Sequence, residues 1–338
     1  MTSIGIVGGG IRGRLFHRAL QGFEGIEVSG IVDSSPAVRD QVAAELPVAV
    51  FDDVDAILDG SDGVIIATPD FAHFDLTRRV IEADVPVLVE KPLTTCVTQA
   101  RTLAALAAER GVEVYVGFEN RWANVYRQAA ASIRQGSIGE VRSVYGRLSD
   151  RREVPLSMLS WASASSPAWF LMPHTLDLAV WLTGSRVESV VADGTRGVLA
   201  GLGVDCLDSV SAIFRLQNGS MVVLESSWAL PEAYPSLVDF TVEVLGADGS
   251  ILVDNTSQML QTITSRVDQP RTLGSANAGR LHGPAPWMVQ SFARKVSGMD
   301  ETLPGIDDGV HVTEAIAAVH QSLETGGRVR ISEVDPQA

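Results

Sequence analysis

At 338 residues, with 46% hydrophobic and 20% charged side chains, the chain has the composition of a globular protein long enough for two domains. That excludes a disordered, fibrous or disulfide-dense chain. Its 41 acidic and 26 basic residues leave a formal charge of -15, which would repel a polyanion over most of the surface and disfavours general nucleic-acid binding.

Only two of the 26 cations are lysines, Lys91 and Lys295. Arg keeps its proton in proteins whereas Lys can give it up, so a titratable amine in this chain has two candidates. Cys96 and Cys206 show no CxxC spacing and fit buried small hydrophobes in a reducing compartment. The opening MTSIGIVGGG has no basic stretch followed by an apolar one, and no apolar run approaches ~18 residues. A soluble cytoplasmic protein, with no membrane partner, is the expectation.

In chain order, apolar runs at 4–7, 28–32, 48–51, 64–67, 85–89 and 112–116 alternate with amphipathic stretches at 11–20, 37–46, 71–83 and 100–110. Continuous Val/Ile runs alternating with helices predict a doubly wound parallel sheet. Gly8-Gly9-Gly10-Ile11-Arg12-Gly13 follows the first strand and opens the first helix as G-x-G-x-x-G. There the glycines allow a tight turn, approach of a pyrophosphate and close helix packing, and the helix N-terminus favours an anion. Asp33 ends the second strand, twenty residues after Gly13, where a carboxylate accepts hydrogen bonds from ribose hydroxyls. Ser34 and Ser35 follow it with no adjacent Arg, so NAD is favoured over NADP.

Past residue 120 the rhythm changes. A helix at 125–134 leads to alternating strand candidates at 141–148, 187–195, 209–216, 220–227 and 238–245. Asn218-Gly219 predicts a hairpin and Ala247-Asp248-Gly249 a turn. Helices are expected from Pro173 to Gly184, at 286–296 and at 307–323, with a mobile loop at 273–286. The fold class predicted is α/β: an N-terminal Rossmann domain over 1–120, then an α+β domain over 121–338 with a mainly antiparallel open sheet.

Two further segments, Ala67-Thr68-Pro69-Asp70-Phe71-Ala72-His73 and Val89-Glu90-Lys91-Pro92-Leu93, follow the fourth and fifth strands. With the glycine loop and Asp33 they resemble the Gfo/Idh/MocA family of sugar and cyclitol dehydrogenases. Gly117-Phe118-Glu119-Asn120-Arg121-Trp122 is similar to that family's inter-domain segment, and Gly246-Ala247-Asp248-Gly249-Ser250 to a turn in its C-terminal sheet. The segment from Trp287 to Phe292 is similar to an aromatic-led helix near the substrate.

The resemblance implies a cofactor set of Gly8, Gly10, Ile11, Arg12, Gly13, Asp33, Ser34, Thr68, Pro69, His73, Glu90 and Lys91, with His73 supporting its loop. It implies that Lys91 lies near the nicotinamide and the reacting carbon of a sugar or polyol. Alcohol oxidation needs a base within hydrogen-bond reach, and an amine of ordinary pKa ~10.4 serves at neutral pH only if burial or nearby positive charge lowers it. His174 is the second catalytic candidate. Its segment, Phe170 to Asp177, resembles the family's D-x-x-x-H-x-x-D helix start, but Phe170 stands where the family has Asp. Asp177, three residues on, shares a helix face with His174 and could orient it.

Arg121 aligns with a family arginine that reaches substrate or cofactor, a salt bridge being the other reading. Tyr234 and Trp287 fall in segments that resemble substrate-pocket edges, and Trp161, Trp169 and Phe170 form either a sugar-stacking floor or core. His17, His311 and His320 read as ordinary helix residues, and no cluster has metal-ligand spacing. A homodimer or homotetramer through the C-terminal sheet is implied by the resemblance. The loss of the family Asp at Phe170 keeps a second class open, a dinucleotide-binding sensor or regulatory subunit without turnover.

Overall fold

The computed structural model describes residues 1–256, 261–265, 267–269, 275–277 and 280–336. Two compact units divide the chain: Met1–Ala123 with Leu273–Thr313, and Asn124–Thr272 with Glu314–Ala338.

The first unit holds the strands β1 (Thr2–Val7), β2 (Ile26–Val32), β3 (Val50–Phe51), β4 (Gly63–Ile66), β5 (Val87–Val89) and β6 (Val114–Val116). They form one parallel sheet in the order β3-β2-β1-β4-β5-β6. That order reverses between β1 and β4, the switch point where doubly wound sheets bind ligands beyond their carboxyl ends. Helices α1 (Ile11–Leu20), α2 (Pro36–Glu45), α3 (Asp55–Leu58), α4 (His73–Glu82) and α5 (Val97–Arg110) make the crossovers. Ile4, Ile6, Ile65 and Leu88 are fully buried with Phe16 and Leu20 of α1, as the unbroken apolar strands require.

The second unit begins with α6 (Asn124–Arg134). Its sheet contains β7 (Val141–Arg151), β8 (Val187–Thr195), β9 (Ser209–Leu216), β10 (Met221–Leu230), β11 (Val238–Gly246) and β12 (Ser250–Asp254). Short strands β13 (Thr262–Ile263), β14 (Val267–Asp268), β15 (Ser275–Asn277) and β16 (Arg280–His282) come next in the chain, and β17 (Val329–Arg330) closes the large sheet. Its order is β12-β11-β7-β10-β9-β8-β17, antiparallel throughout except for the β7–β10 pair. The Asn218-Gly219 hairpin forms between β9 and β10, with Gly219 at φ +86° and Asn218 Oδ1 accepting from Ser220 N–H.

Helices α7 (Pro167–Phe170) and α8 (Met172–Thr183) lie on one face of this sheet. Gly146 of β7 makes room there: a Cβ on it would stand 2.9 Å from Leu224 and 3.5 Å from Thr175 of α8. The opposite face carries the exposed apolar side chains Ile213, Met221, Leu245 and Leu252 among Arg147, Glu225 and Glu243.

The single cut expected at residue 120 misses the chain's return to the first unit. The segment expected as a loop over 273–286 contains β15, β16 and the start of α9 (Pro284–Val296), while 273, 274, 278 and 279 lie outside the described residues. Met288, Val289, Phe292 and Ala293 of α9 are buried in the Rossmann core. Phe292 meets Tyr115 edge-on at 6.1 Å, and Gln290 Nε2 donates to Ala19 O. Beyond it, Val116 N–H donates to Pro304 O just before α10 (Ile306–Thr325).

Candidate functional site

In the first unit the glycine loop, the end of β2 and the segments after β4 and β5 come together at the carboxyl end of the sheet. Gly8 has φ +104°, and a Cβ there would lie 2.5 Å from Ala67 O. A Cβ on Gly13 would stand 1.7 Å from Gly8 O, so α1 can begin this close to the loop only with glycine. Gly10, by contrast, has open space over its Cβ position and caps α1 without a side-chain bond. The first amides of α1 thus face a cradle, as a pyrophosphate site requires.

Asp33 fixes the loop's other side. Its Oδ2 accepts from Gly9 N–H at 2.8 Å and its Oδ1 from Ser35 N–H at 2.9 Å. Arg39 donates to the carbonyls of Asp33 and Ser34 at 2.8 and 3.0 Å, a contact outside the residues expected from sequence. It lies six positions after Asp33, one turn into α2, and that spacing was its only signal.

After β4, Thr68 Oγ1 is buried with no hydrogen-bond partner among the described residues. His73 stands behind this loop. Only 1% exposed, it turns Nδ1 to Pro92 O at 2.7 Å and Nε2 to Thr68 O at 3.0 Å, tying the β4 segment to the β5 segment. Burial pushes its imidazole below the ordinary value, against the pull of both carbonyls and of Asp70 and Glu90. An open cradle, an orphaned hydroxyl and a carboxylate at the β2 end together fit a dinucleotide.

Arg12 differs from the expectation. Its guanidinium is engaged by two glutamates: Nη2 lies 2.6 Å from Glu90 Oε1 and 2.6 Å from Glu119 Oε2. Any part it takes in holding a phosphate falls to its backbone amide. The contact of Glu119 spans 107 positions of sequence, and nothing local in the 117–122 segment signals it.

Lys91 begins the segment after β5, and its peptide bond to Pro92 is cis. Burial pushes its amine below the ordinary lysine value; Glu90 opposes this, Arg12 reinforces it, and Glu119 and Asp70 oppose it. Arg121 pairs with Asp308 at 3.3 Å, consistent with the salt-bridge reading. Trp287 packs against the Rossmann core from α9.

In the second unit, His174 lies in the first turn of α8 and Asp177 is buried one turn further along the same helix. Phe170 belongs to an aromatic row, 5.8 Å from the Trp161 ring and 5.6 Å from the Trp228 ring. Tyr234 is not brought to these residues. It hydrogen-bonds Asp239, which pairs with Arg147 at 2.9 Å on the sheet face away from α8. His320, read as an ordinary helix residue, lies 3.1 Å by Nε2 from Ser166 Oγ and stacks on Trp169 at 5.4 Å. Among the described residues, no three His, Cys, Asp or Glu side chains are grouped to hold a metal ion, and no helix is long and apolar enough to cross a membrane.

Comparison with known proteins gives two family matches. The family described as an oxidoreductase family with an NAD-binding Rossmann fold matches residues 2–118, and the GFO/IDH/MocA C-terminal domain matches residues 126–252. The chain is 31% identical over 225 residues to the myo-inositol dehydrogenase Hyg17 of Streptomyces leeuwenhoekii, covering 65% of this chain and 67% of that one. It is 32% identical over 229 residues to the UDP-N-acetylglucosamine 3-dehydrogenase of Acidithiobacillus ferrooxidans, covering 68% and 67%. Among solved structures, the scyllo-inositol dehydrogenase of Lactobacillus casei with bound NAD(H) and scyllo-inositol superposes with a TM-score of 0.85. Its identity is 20%, over 98% of this chain and 99% of that one.

Proposed function

The chain belongs to the Gfo/Idh/MocA family of oxidoreductases, and from that premise we propose that it oxidises a CH–OH group of a cyclitol or sugar with NAD, Lys91 serving as acid/base and His174 assisting. The observation that carries the reading is the glycine cradle at the start of α1, with Asp33 fixed at the end of β2 and Glu90-Lys91 following β5 at the carboxyl end of the same sheet; burial pushes the Lys91 amine below its ordinary value. The similar proteins, a myo-inositol dehydrogenase and a UDP-N-acetylglucosamine 3-dehydrogenase, support a cyclitol or sugar as the substrate class.

The backbone amides of Gly10, Ile11, Arg12 and Gly13 would hold the pyrophosphate, and Asp33 with Ser34 would meet the adenosine ribose. Thr68, Pro69 and Glu90 would line the nicotinamide side, with His73 bracing the Thr68 and Pro92 segments from behind. Bound NAD supplies the hydride acceptor, and NADH the donor in reverse. Lys91 Nζ takes the hydroxyl proton during oxidation and returns it during reduction. Because its pKa is lowered, the neutral amine exists at lower pH than in an ordinary lysine. Oxidation therefore rises with pH through the Lys91 pKa, while reduction falls through the same value. His174 assists at the hydroxyl and Asp177, one turn along α8, orients the imidazole, since Phe170 offers no carboxylate for that role. The test is NADH absorbance over a panel of cyclitols and sugars. Turnover of at least one is expected, and NAD binding without turnover of any would favour a sensor.

A further inference from the structure

A lysine that directly follows a glutamate, with another glutamate and an aspartate acting on it, ought to be held in its charged form. In this structure one oxygen of each glutamate pairs with Arg12. Arg12 Nε donates to Glu90 Oε1 at 3.0 Å, and Nη2 reaches the same oxygen at 2.6 Å and Glu119 Oε2 at 2.6 Å. Below the guanidinium, one turn along α1, lies the ring of Phe16, 5.0 Å from Arg12 Cζ. Phe16 is fully buried. This arrangement ties α1, the end of β5 and the 3-10 turn Glu119–Trp122 into one cluster.

We propose that Arg12 is a positioning residue that pairs with Glu90 and Glu119 and so offsets their negative charge where it acts on the Lys91 amine. The inference rests on the reading of Lys91 as the acid/base. The groups acting on Lys91 from the surrounding elements of this unit include Glu90, Arg12, Glu119 and Asp70. Asp70 is partly satisfied locally, its Oδ1 accepting from Phe71 N–H at 2.8 Å. Glu90, Glu119 and Arg12 together carry one net negative charge, and without Arg12 they would carry two. Arginine suits the position because its fork reaches two carboxylates at once and keeps its proton throughout the working pH range. A lysine could not span both carboxylates in this way and would add a second amine able to titrate.

The test uses the scarcity of lysine. Trace labelling of the full-length protein with acetic anhydride across pH, read peptide by peptide by mass spectrometry, reports the neutral-amine fraction of Lys91. Lys295 is the internal control, a half-buried helix residue 3.6 Å from Glu113. In Arg12→Gln the Lys91 labelling midpoint moves to higher pH, and labelling at neutral pH slows roughly tenfold, with Lys295 unchanged. In Arg12→Gln/Glu119→Gln one charge of each sign is gone, and the midpoint returns most of the way. Should the single variant fail to fold, comparing the double variant with Glu119→Gln alone isolates Arg12 with only Glu90 unpaired. A Lys91 midpoint that stays put, or one that moves only together with Lys295, overturns the proposal. Labelling reads proton affinity whether or not Lys91 acts in turnover, so the two readings fail separately.

Discussion

Asp33 engages both carboxylate oxygens with backbone amides, of Gly9 and of Ser35, and so stands fixed beside the glycine cradle as a negative charge. A 2′-phosphate brought there meets a like charge, a juxtaposition that costs several kcal/mol. With Asp33→Asn the shape is kept and the charge removed, while the Arg39 guanidinium remains at Ser34 O. The preference for NAD over NADP, as the ratio of kcat/KM values, should fall at least about tenfold; an unchanged ratio would show that Asp33 does not set it. Asp33 was legible because its carboxylate follows the glycine loop at a characteristic distance along the chain. Arg12 was legible as a loop residue but not in its role, since its two partners lie 78 and 107 positions away. Phe170 was visible as a missing carboxylate, yet only the fold supplies the Trp161 and Trp228 rings that flank it.

Helices α7 and α10 meet through Ser166, Trp169 and His320. Ser166 caps α7 by accepting from Trp169 N–H at 3.0 Å, and its hydroxyl can donate to a neutral His320. Burial pushes His320 down to about 4 from 6.5. The unfolded chain binds its proton below about 6.5 and the folded chain only below about 4, so stability is full above that window and falls as pH drops through it. Unfolding measured between pH 7.5 and 4 should show a loss of roughly 2–3 kcal/mol that His320→Gln removes; identical slopes in both proteins would refute the contact's linkage. Periodicity placed most elements well: α1, β8 and β9 occur where the apolar pattern put them. It could not place α9 in the Rossmann core. An amphipathic face states that it is buried, not against what, and the segment before α9 carried the polar and glycine residues of a loop.

The whole chain keeps its negative charge on two units of different design, one parallel sheet covered by helices and one mixed sheet with an open face. Ile213, Met221, Leu245 and Leu252 on that face suit a second copy of the chain, as the family resemblance implies. Sedimentation should therefore give a dimer or tetramer at micromolar concentration, and a monomer would remove that reading. The charge asymmetry that marked lysine as rare now has a location, because Lys91 lies in the cofactor unit within a cluster where Arg12 already holds the glutamates. Replacing Lys91 by Met while measuring both NAD affinity by calorimetry and NADH formation on an active cyclitol or sugar tests the central claim most directly. The account predicts NAD binding within about threefold of wild type and a kcat lower by about 10²–10⁴. Turnover at the wild-type rate with Met at position 91 would contradict it.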